Sequence, residues 1–359
     1  MGMFPRLMID LHKIKHNTRI ISNLASKQNI QITGVTKCCC GDIDVARAML
    51  SGGAVSIADS RIENLRLLRE SGINTDLMLL RTPMLSEASE GVKYSDISLN
   101  SELVVLSLLS EEALKLSKKH RVILMVEMGD LREGIPQQHL ENIIERAIKF
   151  KGIELYGLGM NLACYGGVVP TAKKLEEFSA IVTEMENEFN IKFEMVSGGN
   201  SANIPLLMDN GKAARINNLR IGEGILLGLE TVNRTPIQGT YQDAFILEAE
   251  IIELNEKSSI PQGEISQNAF GETPVFEDKG IIKRGILAVG RQDVIIEGLK
   301  PLDDKISILG SSSDHIIFQT KSDGYKVGDI IKFQMDYGGL LHLWTSGYVK
   351  KEYVSDNNN

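Results

Sequence analysis

Between residues 31 and 220 the chain alternates short β-branched or apolar runs with longer amphipathic segments, and this rhythm is the mark of βα units. The runs are Gln31 to Thr36 (QITGVT), Ala54 to Ile57 (AVSI), Asp76 to Leu80 (DLMLL), Ser95 to Ser98 (SDIS), Arg121 to Val126 (RVILMV), Ile153 to Gly159 (IELYGLG), Phe193 to Ser197 (FEMVS) and Ala214 to Leu219 (ARINNL). Helical patterns such as Ile43–Leu50, Ser101–Lys118 and Thr171–Phe189 lie between them. Eight strands with intervening helices predict an α/β fold, a (β/α)8 barrel of TIM type. The amphipathic segment Leu11 to Lys27 would close the barrel bottom or supply an eighth helix.

The rhythm stops after Leu229. Asn233 to Asp243 (NRTPIQGTYQD) is polar, holds Pro236 and Gly239, and reads as a linker. Beyond it Phe245–Leu254, Gly280–Val289, Ile306–Leu309, Ile316–Thr320, Ile330–Met335 and Leu341–Val349 are strand-like. The expected layout is a barrel over 1–232, a linker over 233–243, a C-terminal mostly-β domain over 244–354 and a tail over 355–359. A length of 359 residues suits two domains at about 150 residues each. The balance of 39 basic against 47 acidic residues, net −8, excludes a nucleic-acid binder driven by bulk charge. No apolar run approaches the ~18 residues of a membrane helix, so the reading is a soluble, cytoplasmic protein with no membrane partner. Cys38, Cys39, Cys40 and Cys164 read as reduced thiols, since three consecutive cysteines cannot wrap one tetrahedral metal. No metal is expected.

In such a barrel the reactive groups follow the strands at their C-terminal ends. After strand one comes Thr36-Lys37-Cys38, after strand five Glu127 to Gly134 (EMGDLREG), and after strand six Asn161 to Tyr165 (NLACY). Strand seven leads to Gly198-Gly199-Asn200-Ser201 and strand eight to Arg220-Ile221-Gly222-Glu223. Loops after strands seven and eight, rich in Gly and Ser, form the usual phosphate site of barrels. Lys37, flanked by Thr36 and three cysteines, would be partly desolvated, which favours the neutral amine. A neutral amine opposite a phosphate site suggests pyridoxal 5'-phosphate held as a Schiff base. Arg220 could point at the pyridine nitrogen. An arginine keeps its protons and can only donate, leaving that nitrogen unprotonated and the cofactor a weaker electron sink. That suits brief removal and return of a proton at Cα, which is racemisation.

The stretches VTKCC around Lys37, IADSRIENL at 57–65, MLLRTPML at 78–85, DISLNSEL at 96–103, GDLREG at 129–134, CYGGVVP at 164–170, VSGGNSANI at 196–204, LRIGEGILLG at 219–228 and SSSDH at 311–315 occur in order along nearly the whole chain. In them the sequence resembles the fold-type III pyridoxal phosphate enzymes of the alanine racemase superfamily, and within it the ornithine racemases. The resemblance implies that Lys37 carries the cofactor and acts as base on one face of an amino-acid substrate. It implies that Ser201, with backbone groups at Gly222 and Glu223, holds the phosphate, that Asn161 and Asn200 bind the cofactor, that Arg220 contacts the pyridine nitrogen, and that Arg132 reaches toward the active centre. Asn161 stands where alanine racemases carry a histidine. The family's homodimers complete each active site with the partner's β domain.

The sequence departs from alanine racemases in places that matter. Gly41 stands where they have a phosphate-binding tyrosine. The catalytic tyrosine of their β domain has no match, since GEISQNAFGE offers Asn268 or Phe270, and neither takes a proton. The opposite-face base is open among Cys164, Tyr165, Asp293 and Asp314, with Cys164 attractive because a thiol beside a cationic cofactor can ionise. A substrate with a distal ammonium also needs a carboxylate, for which Asp293 and Asp314 are the candidates. The expected function is interconversion of L- and D-ornithine. Competing readings are racemisation of alanine or lysine, a basic amino-acid decarboxylase, which Arg220 argues against, and a non-catalytic cofactor carrier, which the added β domain argues against.

Overall fold

In the computed structural model residues 3–209 and 214–354 are described; the tail expected over 355–359 lies outside them. The chain divides into two compact units, one of Leu11–Gln242 and one joining the first ten residues to those from Asp243 onward. The expected boundaries thus shift at both ends. Strand β1 (Arg6–Ile9) belongs with the C-terminal unit because it pairs with strands there. The segment 233–242 is packed onto the barrel: Asn17 exchanges two hydrogen bonds of 2.8 Å with the backbone of Tyr241, and the buried Glu230 carboxylate accepts from the amides of Val232, Asn233 and Thr235.

The first unit is a closed barrel of eight parallel strands: β2 (Gln31–Val35), β3 (Ser56–Asp59), β4 (Leu77–Leu79), β5 (Ile97–Asn100), β6 (His120–Met125), β7 (Ile153–Gly159), β8 (Met195–Ser197) and β9 (Asn218–Ile221). Helices α1 (Leu11–Ser26), α2 (Ile43–Ser51), α3 (Ile62–Glu70), α4 (Ala88–Tyr94), α5 (Leu103–Lys115), α6 (Gln137–Ala147), α7 (Ala172–Phe189), α8 (Ile204–Met208) and α9 (Glu223–Leu227) accompany them. Helix α1 buries Ile14, Ile21 and Ala25 and packs between α2 and α9, so it takes the place of an outer-layer helix. Val35, Ala58, Met78, Leu99, Ile123 and Met125 are among the side chains that fill the core.

Strand β9 begins four residues later than the run ARINNL suggests, because its inward positions are polar. Asn218 donates to the Thr33 hydroxyl (2.8 Å) and accepts from the Ser197 hydroxyl (2.7 Å) inside the barrel. Arg220 consequently lies within the strand, opposite Thr33 in the register, not after it.

The second unit is an antiparallel sheet of β12 (Leu299–Pro301), β15 (Ile330–Met335), β10 (Phe245–Ser258), β11 (Ile281–Leu287), β14 (Ile316–Thr320) and β13 (Ile306–Ser311), in that order. β1 pairs antiparallel with β10 and parallel with β16 (Lys350–Tyr353). The strand expected over Leu341–Val349 is instead helix α10 (Tyr337–Thr345): Asp336 caps it by accepting from the Gly339 amide at 2.8 Å, and Leu340, Leu343 and Trp344 fall on one buried face. Trp344 meets Phe245 edge-on at 6.0 Å.

Candidate active site

Strand β2 delivers the first reactive group, since a 3-10 turn over Lys37–Cys39 follows it through Thr36. The Thr36 amide donates to the Ala58 carbonyl (3.0 Å) and its hydroxyl to Asp59 Oδ2 (2.8 Å) at the end of β3. Asp59 is fully buried, and burial raises its pKa even though Oδ1 accepts from the Arg61 amide and Asn64 Nδ2. Cys38 and Cys39 turn inward, Cys39 donating to the Thr36 carbonyl at 3.2 Å, and burial pushes its thiol well up. Lys37 is exposed. The desolvation expected from its cysteine neighbours is therefore not supplied, because successive side chains of a 3-10 turn point about 120° apart. Gly41 sits at φ +69°, and a Cβ there would lie 2.6 Å from the Asn64 Cβ, so Asn64 occupies the room a tyrosine would need.

The loops after β8 and β9 form one cradle. Gly199 takes φ +129°, and a Cβ there would meet Asn203 Oδ1 at 2.6 Å. Asn200 Oδ1 accepts from the Ala202 amide (2.8 Å), and the buried Ser201 hydroxyl accepts from the Gly224 amide (3.1 Å), tying the loops together. A Cβ at Gly222 would press the Val35 Cβ at 3.2 Å, so bare backbone runs past the end of β2. Glu223 beside it pairs with Arg234. A hydroxyl that can still donate, set among bare backbone, suits an oxyanion.

Arg220 stands in the barrel mouth, 5% exposed, donating to the Ser197 hydroxyl, the Met160 carbonyl (2.9 Å) and Asn161 Oδ1 (3.4 Å). Desolvation pushes its pKa down to about 10, which leaves it a cation at neutral pH. Asn161 Oδ1 also accepts from Asn200 Nδ2 (2.9 Å), while Asn161 Nδ2 is buried with no partner. Asn200 Nδ2 reaches on to the Leu162 carbonyl (2.8 Å) and the Cys164 sulfur (3.3 Å). The structure thus brings Arg220, Asn161, Asn200 and the exposed Cys164 into one chain of contacts.

Arg132, after β6, is forked by Glu133, whose hydrogen bonds raise the guanidinium pKa further, with Cys164 and Asp130 within its field. Glu133 and Asp59 escape a reading of residue types, although Glu133 stands in the loop after β6 and Asp59 closes β3. In the second unit Asp293 is 3% exposed and occupied, accepting from the Ser346 hydroxyl (2.7 Å) and the Gly290 amide (3.4 Å), so it is no reserve carboxylate for a substrate. Asp314 is exposed and carries His315 at 3.0 Å and the hydroxyls of Ser312 and Ser313. Tyr165 is 76% exposed. Among the described residues no group of His, Cys, Asp and Glu could hold a metal ion, and no helix is long and apolar enough to cross a membrane.

The family model for the alanine racemase N-terminal domain matches residues 9–229. A protein of Acetoanaerobium sticklandii named ornithine racemase is 46% identical across 98% of this chain and 100% of its own length. A lysine racemase of Thermotoga maritima is 38% identical across 98% of this chain and 99% of its own. The solved alanine racemase of Streptomyces coelicolor superposes with a TM-score of 0.78 over 98% of both chains, at an 18% identity that speaks to the fold alone. The chain belongs to the alanine racemase family. Its residues fit the pyridoxal phosphate that this family implies: the cradle at Ser201 takes an oxyanion, Arg220 offers N–H groups, and the orphaned Nδ2 of Asn161 calls for an acceptor.

Proposed function

We propose that this member of the alanine racemase family interconverts L- and D-ornithine, in the cytoplasm and as a homodimer whose β units complete the partners' barrels. Its full-length likeness to an ornithine racemase carries the substrate. The cofactor is pyridoxal 5'-phosphate, which when bound withdraws electrons from Cα and makes its proton acidic. Ser201, with backbone groups at Gly222 and Glu223, binds the phosphate, and Asn200 beside it contacts the cofactor. Arg220 donates to the pyridine nitrogen and, holding its protons at neutral pH, passes none to it. Asn161 donates across the site through its unpartnered Nδ2.

Lys37 carries the cofactor and takes the Cα proton of one enantiomer on its nitrogen. Cys164 returns a proton from sulfur to the opposite face, and the reverse reaction exchanges the two roles. Arg132 receives the substrate carboxylate. Asp314 meets the distal ammonium, since Asp293 is engaged inside its own unit.

Incubation of the holoenzyme with L-ornithine in heavy water, following optical rotation, Cα deuteration and gas, tests this reading. Loss of rotation with deuteration and no carbon dioxide is the expected result. Carbon dioxide would make the protein a decarboxylase, inertness toward all amino acids a cofactor carrier, and faster turnover of lysine or alanine would reassign the substrate.

A further inference from the structure

The loops after β6 and β7 are joined by a side chain that the reaction itself does not need. Asp130 is 2% exposed and forms no ion pair among the described residues. Its Oδ1 accepts from the amides of Cys164 (3.3 Å) and Gly166 (3.1 Å), and its Oδ2 accepts from the amide of Tyr165 (3.0 Å). Its carbonyl accepts from Gly166 as well, at 3.0 Å, and a Cβ on Gly166 would come within 2.7 Å of that oxygen. Three consecutive amides therefore converge on one buried carboxylate. Two residues bordering the contact are held where L-residues seldom go: Leu131, next to Asp130, has φ +57°, and Ala163, next to Cys164, has φ +55°. Such backbone persists only where its surroundings over-determine it, and removing the carboxylate would strand the amides.

We propose that Asp130 is a positioning residue: it fixes the backbone from which the Cys164 thiol faces the substrate, and couples that backbone to the loop bearing Arg132. The inference rests on the reading of Cys164 as a proton-handling group. Asp130 touches neither substrate nor cofactor and acts only through the three amides.

The holoenzyme is compared with Asp130→Asn, Asp130→Ala and Cys164→Ala. Amide hydrogen exchange over the peptide 162–169 should quicken about tenfold or more in Asp130→Asn, which keeps the shape and one accepting oxygen, and more in Asp130→Ala. In the same variants racemisation of either ornithine enantiomer should fall about tenfold to a hundredfold. Deuterium should still enter Cα with retention from the Lys37 face, so the ratio of exchange to inversion rises. Unchanged amide exchange overturns the proposal, and so does a parallel fall of exchange and inversion. Should Asp130→Ala not fold, Asp130→Asn carries the test. Normal rates in both directions for Cys164→Ala would remove the role of Cys164, and amide exchange would still decide whether Asp130 holds the loop.

Discussion

The loops after β2, β8 and β9 differ in kind from those after β6 and β7. The first set is built by exclusion: a Cβ at Gly41 or Gly199 would collide and one at Gly222 would press on Val35, while Ser201 and, on the adjoining strands, Asp59 of β3 and Arg220 of β9 are buried and hydrogen-bonded. The second set exposes Cys164 and Arg132, the groups proposed to handle the substrate, beside two residues at positive φ and around a buried carboxylate. A cofactor that stays bound rewards a rigid seat, whereas a substrate that enters and leaves needs groups near the solvent. Holding the two rims by separate means lets one be altered without the other.

The largest effect should come from Lys37→Ala, which removes the proposed anchor on the first rim: the visible absorbance of the attached cofactor should vanish and racemisation fall by more than about 10³-fold. Persistence of that absorbance would place the anchor elsewhere. On the other rim Cys164→Ala should lower racemisation about 10²- to 10⁴-fold while cofactor content, read by absorbance, stays full. A parallel loss of cofactor would erase the distinction between the rims. Gly41→Ala, with its Cβ driven toward Asn64, should lower stability by about 1–3 kcal/mol in denaturant titration, and an unchanged midpoint would show that Asn64 yields. Smallest, Asp314→Asn should raise KM for ornithine about tenfold with kcat kept and leave KM for alanine unmoved.

Parallel strands buried on both faces read as continuous apolar runs, which is why the barrel is legible along 31–220. Legibility fails where polar side chains point inward, as at Asn218 and Arg220, and the last strand slips by several residues. LLHLW in α10 is too short an apolar run to separate helix from strand by period, and its cap Asp336 decides. Strands β1 and β16 exist because residues more than 300 positions apart pair, which no local pattern announces. Lys37 and Ser201 stand after β2 and β8, where strand-end logic places them, whereas Arg220 lies inside β9. The exposure of Lys37 and the engagement of Asp293 depend on which way a side chain turns, and the duty of Asp130 depends on backbone amides that carry no residue identity.

The polar residues inside the barrel have a direction. Arg220 can only give protons, so Ser197 receives from it and gives to Asn218, whose amide gives to Thr33. Each bond thus inherits its orientation from one guanidinium. Hydroxyls rotate and a carboxamide turns over, but the Met160 carbonyl that also accepts from Arg220 can do neither, so an acceptor at position 220 would leave that buried oxygen without its donor. The barrel interior is in this sense a one-way circuit: the hydroxyls and the carboxamide follow the guanidinium, while the Met160 carbonyl fixes position 220 as a donor.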